Sequence, residues 1–194
     1  MSQAVRRATL GFCLFDTAIG PCAAAWGEGV LTGVQLPEVT PERLRARMRS
    51  RFPDAQELLE GPPPGFAQQA IARTRALLEG AKDDLQDVPL DMDAVAPFHR
   101  RVYEIARAIP AGRTMTYGEV ARAIGEPGAS RAVGQALGLN PFAPVVPCHR
   151  ILAAGGRSGG FSAEGGAATK LRMLEIEQAR FGSEPGLFDG TGED

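Results

Sequence analysis

The sequence is poor in the residues that hold metals and disulfides. Its 194 residues include only three cysteines and two histidines. An odd number of cysteines in a chain of this size does not indicate a disulfide framework. Cys13 and Cys22 lie in a strand-like region, far in sequence from His99 and His149, so a four-ligand zinc site is not expected. We expect no metal and no cofactor, and we interpret Cys13 and Cys22 as small buried apolar residues.

Long hydrophobic runs are also missing. The longest, at about 10–15 and 151–154, fall far short of the roughly 18 to 20 residues that a membrane-spanning helix needs. The basic pair Arg6-Arg7 is not followed by the apolar region of a secretory signal. Because 44% of the residues are apolar, the chain can bury a core. We therefore expect a soluble, monomeric protein of the cytoplasm, or of the nucleus in a eukaryote.

The net charge is distributed unevenly. The whole chain carries −2, whereas residues 1–93 carry −3, residues 94–180 carry +5 and residues 181–194 carry −4. The positive part contains Cys148 and His149, which is consistent with a partner or substrate that bears phosphates. A merely solvated surface would give the same count. The expected organisation is an N-terminal subdomain with its connector (1–93), a C-terminal domain (94–180) and a flexible acidic tail (181–194).

The N-terminal part predicts a small antiparallel sheet with helices. Three strand-like runs, 9–15, 22–26 and 30–36, are separated by short turns. A threonine followed by Pro41 is typical of a helix start, and a second helix is predicted over 67–79. With the helical C-terminal part, the fold class expected is α+β.

The C-terminal part predicts a helix-turn-helix. A helix begins at Pro97, and residues 117–124 and 129–138 are predicted to be helical on either side of the tight break at 125–128. The last of these helices is rich in small residues and carries one long cation, Arg131. Such a helix can approach a grooved surface closely. A close-packed helix pair with a solvated arginine fits the same pattern.

The dipeptide Cys148-His149 is the candidate for chemistry. An ordinary cysteine is mostly protonated at neutral pH, so a nucleophilic one needs a nearby base or cation. Neighbouring side chains of an extended segment point to opposite faces, so we expect His149 to act through a water or a bend. A carboxylate would orient His149, and Glu175 and Glu177 are candidates. The main alternative is a buried cysteine beside a structural histidine.

Several segments together resemble the O6-alkylguanine-DNA alkyltransferase family. Those around the cysteine are Asn140-Pro141, Val146-Pro147-Cys148-His149-Arg150-Ile151, Gly159-Gly160-Phe161-Ser162, Lys170 and Glu177. Residues 109–121 and Ser130-Arg131-Ala132-Val133-Gly134 resemble the helix-turn-helix of that family. The resemblance is strong over about residues 96–180 and looser, as a strand-then-helix subdomain, over residues 8–93.

The resemblance implies DNA repair by direct alkyl transfer. Family members bind duplex DNA through its minor groove, flip O6-alkylguanine out of the stack and move its alkyl group onto a cysteine. O4-alkylthymine is a further expected substrate. Since nothing in such a site can displace an alkyl group from the thioether product, each molecule should react once. The implied partner is double-stranded DNA that contains O6-alkylguanine, and no membrane is involved.

The resemblance also implies catalytic roles for five residues. Cys148 would accept the alkyl group, His149 would take the thiol proton through a water, and Glu177 would orient the imidazole. Tyr117 would donate a hydrogen bond to the leaving guanine. Asn140 would fix the turn between the recognition helix and the active-site strand.

A second set of residues is implied to contact DNA and the base. Arg131 would fill the gap left by the flipped nucleotide. The carbonyls of Cys148 and Ile151 and the backbone N–H of Ser162 would read the guanine edge. The implied substrate and DNA contacts are Ala129, Ser130, Arg131, Tyr117, Ile151, Phe161 and Ser162.

Two features depart from the family pattern. Phe161 stands where many members have tyrosine, so a hydroxyl near the base is absent and alkyl-group preference could shift. The loop at 162–168 is about two residues longer than the commonest form. This leaves Glu175 as the fallback for Glu177.

Three other functions remain open on the sequence. One is an alkyltransferase-like protein that binds the lesion without transferring the alkyl group, although in such proteins the cysteine is replaced. The others are a helix-turn-helix regulator, for which the expected dimerisation element is missing, and a Cys-His hydrolase, for which no oxyanion hole is evident.

Overall fold

The computed structural model describes residues 8–179, so the predictions for residues 1–7 and for the acidic tail at 181–194 lie outside it. The elements, in chain order, are β1 (Gly11–Phe15), β2 (Cys22–Trp26), β3 (Leu31–Gln35), α1 (Pro41–Arg51), β4 (Gln56–Glu57), α2 (Gly65–Leu78), α3 (Pro97–Arg107), β5 (Met115–Thr116), α4 (Tyr117–Ala123), α5 (Ser130–Gly138), β6 (Ile151–Leu152) and α6 (Ala167–Ile176). Strands dominate the first third and helices the remainder. The α+β prediction is confirmed.

The N-terminal sheet has the strand order β3-β2-β1-β4. Strands β1, β2 and β3 form the predicted antiparallel meander, with Phe15 opposite Cys22 at the first turn. Strand β4 was not predicted, and it pairs in parallel with β1, where Gly11 lies opposite Gln56. The sheet therefore contains one short parallel strand beyond the predicted antiparallel ones. The two polar residues of β4 offer no alternating hydrophobic pattern from which a strand could be inferred.

Helix α1 covers one face of this sheet. It begins where the sequence predicts, because the Thr40 hydroxyl accepts a hydrogen bond from the Arg43 N–H at 3.3 Å and Pro41 occupies the first turn. Its buried side chains, Leu44 and Met48, pack with Phe12 of β1. Full burial of each such side chain contributes about 1.5 to 3 kcal/mol.

A larger core on the other face joins the sheet to the C-terminal helices. It includes Trp26 of β2, Leu77 of α2, Val102 of α3 and Val133 of α5. The buried Tyr103 hydroxyl donates to the Ala136 carbonyl at 2.8 Å and ties α3 to α5. Within residues 8–179, no helix is long and apolar enough to cross a membrane.

A second, two-stranded sheet places the helix pair beside the cysteine. Strands β5 and β6 pair in parallel, with Met115 opposite Ile151. Helix α4 begins directly after β5, through a capping box in which Thr116 and Glu119 bond each other's backbone N–H. The sequence gives no indication of this small sheet, whose strands lie far apart in the chain. It fixes the start of α4 against the segment that follows Cys148.

Candidate active site

The turn before the cysteine is held by Asn140. The Asn140 Nδ2 donates to the Val146 carbonyl at 2.8 Å, and its Oδ1 accepts from the Phe142 N–H at 3.0 Å. One side chain thus closes both ends of a loop whose backbone is largely buried. The loop connects the end of α5 to Cys148, at the place where the sequence assigns Asn140 its role.

Cys148 begins a single 3₁₀ turn, Cys148–Arg150, and does not lie in an extended strand. The bend at Pro147, one of the two routes that the sequence left open for His149, is present, and the Pro147 carbonyl accepts from the Arg150 N–H at 3.0 Å. All three side chains of the turn are buried: Cys148 is 6% exposed, His149 0% and Arg150 1%.

His149 and Arg150 converge on one buried carboxylate. The His149 Nε2 lies 2.8 Å from Glu177 Oε1, and the Arg150 guanidinium donates to both Glu177 oxygens at 2.8 to 3.2 Å. Arg150 also donates to the Ile109 carbonyl. Glu177 follows the last residue of α6. Glu175 lies on the exposed side and pairs with Arg172 at 3.6 Å, so Glu177 is the carboxylate beside the histidine.

Protonation states follow from this arrangement. Burial alone would raise the pKa of Glu177, but hydrogen bonds and charge from His149 and Arg150 lower it to about 2. Burial lowers the pKa of His149, and Arg150 and Lys170 add to the effect, although Glu177 opposes it. A neutral His149 therefore donates Nε2–H to an ionised carboxylate. Its Nδ1 is then the acceptor, and among the described residues this buried nitrogen has no hydrogen-bond partner.

Two polar side chains, Asn140 and Lys170, influence the protonation of Cys148. Burial raises the pKa of its thiol, whereas the Asn140 side chain and the charge of Lys170 lower it. Lys170 is fully buried, and its ammonium donates to the Ile151 carbonyl at 2.6 Å. Burial lowers the pKa of Lys170 to about 8, an effect that the thiolate of Cys148 would oppose. The site can thus stabilise a thiolate once a base removes the proton.

A cavity of about 560 Å³ opens from Cys148 to the surface between α5 and the loop around Gly160. Its lining residues are Tyr117, Ser130, Arg131, Gly134, Gln135, Leu137, Gly138, Cys148, Gly160, Phe161 and Ser162. The Arg131 side chain is exposed at its rim. This volume lies within the range of small-molecule sites and is large enough for one nucleobase.

Tyr117 forms one wall of this cavity. Its hydroxyl donates to the Gly160 carbonyl at a long 3.3 Å. Gly159 has φ +67°, and a Cβ there would lie 3.0 Å from the ring, so only glycine lets the loop approach this closely. Lys170 Nζ lies 5.7 Å from the Tyr117 ring centroid and 5.9 Å from that of Phe161.

Six of the residues predicted for the site line this cavity, namely Tyr117, Ser130, Arg131, Cys148, Phe161 and Ser162. Asn140, His149, Glu177, Ala129 and Ile151 do not line it. Ala129 precedes α5 and does not line the cavity. The Ile151 side chain is buried in the core, and its carbonyl already accepts from Lys170, which leaves one lone pair for a base.

The sequence did not predict the structural roles of Arg150 and Lys170 as buried, hydrogen-bonded cations. Both belong to the segments that carry the family resemblance, yet nothing local to them predicts burial. An ion pair between Arg150 and a residue 27 positions away appears only in the fold. Among residues 8–179, no cluster of histidine, cysteine and carboxylate side chains could hold a metal ion.

The exposed Arg131 of α5 lies at the mouth of a cavity, and a buried cysteine lies at its floor beside a histidine that a carboxylate holds. This arrangement is that of a helix-turn-helix protein with a candidate nucleophilic thiol. Residues 97–179 match the family model described as 6-O-methylguanine DNA methyltransferase, DNA binding domain. A methylated-DNA–protein-cysteine methyltransferase of Mycobacterium bovis is 37% identical over 174 residues, which are 90% of this chain and 96% of that protein. The chain belongs to this methyltransferase family.

Solved structures agree. The Mycobacterium tuberculosis O6-methylguanine methyltransferase superposes with a TM-score of 0.69 at 36% identity, covering 92% of this chain and 99% of that one. A structure of the Mycobacterium tuberculosis protein in complex with DNA superposes with a TM-score of 0.66 at 34% identity, covering 90% and 96%. A DNA base-flipping protein of Thermus thermophilus is 37% identical over 145 residues, 73% of this chain and 91% of that protein.

Proposed function

We propose that Cys148 accepts the alkyl group of O6-alkylguanine, and of O4-alkylthymine, in duplex DNA. Membership of the family makes the protein a DNA-repair methyltransferase, and this proposal assigns its acceptor residue. The observation that carries it is the buried Nδ1 of His149, an acceptor without a partner among the described residues, on a ring whose other nitrogen is held by ionised Glu177. A base prepared in this way beside a buried thiol serves deprotonation.

The transfer proceeds by one displacement at the alkyl carbon. The Cys148 thiol passes its proton through a water to His149 Nδ1, and Glu177 stabilises the imidazolium. The thiolate attacks the carbon, an S–C bond forms and the C–O6 bond breaks, with its electron pair left on guanine. Tyr117 exchanges its long bond to Gly160 for one to the guanine and stabilises the developing negative charge. The guanine anion then takes up one proton from solvent, and the imidazolium of His149 releases the thiol proton to solvent.

DNA reaches this site through α5. Its N-terminal part presents small residues with one exposed cation, Arg131, at the mouth of the cavity. Small side chains permit close approach to the minor groove, and Arg131 occupies the space in the stack that the flipped base vacates. The net charge of +5 over residues 94–180 supplies the attraction to phosphates. A relative has been solved in complex with DNA, which supports DNA as the partner.

Each molecule reacts once, because the thioether product has no partner in the site that could displace its alkyl group. We propose that the protein acts as a monomer in the cytoplasm, or in the nucleus in a eukaryote. A lesion-binding protein without transfer would share the cavity and Arg131, but Cys148 and its base would then have no use.

Intact-mass measurement tests the proposal. The protein is incubated with a duplex that carries one O6-methylguanine, in excess. The expected result is a mass gain of one methyl group per chain, which saturates at one equivalent and is absent in Cys148→Ala. Retained binding without an adduct would indicate the lesion-binding alternative. Repair of more than one equivalent of DNA would contradict single turnover.

A further inference from the structure

The carbonyl of Pro141, in the active-site loop, is a point of contact with the N-terminal half. The Pro141 oxygen accepts two hydrogen bonds, from the Val34 N–H of β3 at 2.9 Å and from the Arg51 Nη2 at 2.8 Å. An isolated bridge pairs Val34 with Phe142 in parallel. The edge of the N-terminal sheet therefore continues into the loop that Asn140 closes.

The surroundings of Arg51 direct its guanidinium towards the Pro141 carbonyl. It is the last residue of α1, and its guanidinium carbon lies 4.8 Å from the centroid of the Phe52 ring. The guanidinium passes directly over Gly33 of β3. A Cβ at Gly33 would lie 2.8 Å from Arg51 Nη2 and 2.6 Å from Phe52 Cζ. The absence of a side chain at Gly33 is what lets Arg51 reach Pro141.

The Pro141 carbonyl and the Phe142 N–H belong to one peptide group, and the Asn140 side chain accepts a hydrogen bond from that N–H. This peptide group connects Arg51 to Asn140, and Asn140 in turn influences the Cys148 thiol. The Asn140 amide holds the Phe142 N–H and the Val146 carbonyl, and it also stabilises the Cys148 thiolate, which lowers the thiol's pKa. Arg51, Asn140 and Cys148 line one cavity of about 230 Å³, and Tyr117 is not among its lining residues. Rotation of the Pro141 peptide would change the direction of the Asn140 side chain.

We propose that Arg51 is a positioning residue, which acts from the N-terminal half on Cys148 through the Pro141 carbonyl and the Asn140 amide. This assigns the N-terminal half a part in setting thiol reactivity in addition to its part in the core. Attachment of α1 to the sheet does not depend on Arg51, because Leu44 and Met48 provide that packing. The inference rests on the proposed role of Cys148 as the acceptor.

The experiment compares Arg51→Met and Arg51→Lys with the wild type and with Arg49→Met. Arg49 lies on the same helix and makes a surface ion pair with Glu57 at 2.8 Å, so it is a matched control. Two rates are measured against pH: transfer from free O6-benzylguanine, and modification of Cys148 by iodoacetamide, read by peptide mass. Free base is used because its reaction does not require DNA binding.

The expected result is transfer slowed about tenfold in Arg51→Met, as for loss of one charge-assisted hydrogen bond. Iodoacetamide modification of Cys148 should shift to higher pH, because Asn140 no longer favours the thiolate. Arg51→Lys should recover part of both effects. Arg49→Met should match the wild type. Gly33→Ala keeps the arginine but moves its guanidinium away from the Pro141 carbonyl. It should therefore slow transfer and shift the iodoacetamide profile as Arg51→Met does.

Wild-type rates and an unshifted iodoacetamide profile in Arg51→Met would overturn the inference. Slower transfer with an unshifted profile and no recovery in Arg51→Lys would also overturn it, since that is the result of a purely structural role. The iodoacetamide arm measures the thiol itself. If the wild type gains no methyl group from the O6-methylguanine duplex, the proposed function fails, and the iodoacetamide arm still decides the inference.

Discussion

Cys22 in the N-terminal sheet and Cys148 in the C-terminal loop are both buried, at 0% and 6% exposure, but their surroundings differ. Around Cys22, burial raises the pKa to about 12, and the Thr17 hydroxyl at 3.7 Å only slightly opposes it. Around Cys148, burial also raises the pKa, yet Asn140 and Lys170 oppose it. A buried cysteine therefore stays protonated and unreactive unless polar groups that stabilise its thiolate are buried beside it.

The same difference extends to the two halves of the described chain. Four charged or histidine side chains, His149, Arg150, Lys170 and Glu177, are buried in the half that contains Cys148, whereas Asp91 is the one buried among residues 8–93. Buried charges cost free energy unless they are paired and hydrogen-bonded. The buried charges of the C-terminal site therefore lower the stability of the fold while they provide the polar groups for the proposed reaction. Substitutions that leave one of these charges unpaired should reduce both the free energy of unfolding and the rate of transfer.

The largest effect is expected from Glu177→Gln. This substitution removes the negative partner of Arg150 and the acceptor that orients His149. Transfer should slow by about 100-fold or more, and the free energy of unfolding should fall by about 3 to 5 kcal/mol. Single-turnover rates and urea unfolding measure the two losses.

Glu175→Gln is the control, because Glu175 is exposed and pairs only loosely with Arg172. Its stability should stay within about 0.5 kcal/mol of the wild type. The ionised Glu177, with a pKa lowered from 4.5 to about 2, stabilises the fold above pH 4.5, and this stabilisation is lost as the pH falls towards 2. Glu177→Gln should lack that acid-dependent loss. Equal effects of the two substitutions would contradict the arrangement.

A second prediction distinguishes the contribution of α5 to the transfer rate from that of the residues around Cys148. Arg131→Ala should slow transfer from duplex DNA about tenfold or more, because the flipped state loses the side chain that replaces the base. Transfer from free O6-benzylguanine should change far less. The ratio of the two rates is the measurement. Equal slowing on both substrates would make Arg131 a structural residue of α5.

The pH dependence of transfer tests which group removes the thiol proton. Since burial holds the pKa of His149 below 6.5, His149 is neutral and competent at neutral pH. Transfer from free O6-benzylguanine should stay within about twofold between about pH 7 and 8 and fall only below pH 6.5. A rate that rises steadily with pH through this range would indicate direct titration of the Cys148 thiol without His149.

The smallest effects are expected in the sheet. Cys13→Ala and Cys22→Ala should leave the transfer rate within about twofold of the wild type and cost about 1 kcal/mol of stability. Burial raises the pKa of Cys13 to about 11 and that of Cys22 to about 12, so neither should react with iodoacetamide in the folded protein. Modification of either thiol at a rate near that of Cys148 would remove the contrast between the two regions.

Local signals in the sequence predicted the helices well. Thr40-Pro41 and Thr116 mark helix starts through capping chemistry that depends on neighbours only. The family resemblance supplied the pairing of His149 with Glu177, although the residues alone left Glu175 equally open. The structure brings Glu177 to the ring because α6 ends one residue before it.

Features made by distant segments escaped prediction. Strand β4 and the β5–β6 pair are two residues long each, too short for a periodic pattern. Arg51 and Pro141 lie 90 residues apart, so their contact has no sequence signature. Burial of Arg150 and Lys170 likewise depends on the assembled core.

Peptide-level mass spectrometry tests the central assignment most directly. After reaction with a duplex that carries O6-methylguanine, the protein is digested, and the peptides that contain Cys13, Cys22 and Cys148 are quantified with and without a methyl group. The methyl group should appear on Cys148 alone and approach one equivalent. A methyl group on Cys13 or Cys22, or unmodified Cys148 after the lesion has been repaired, would contradict the assignment.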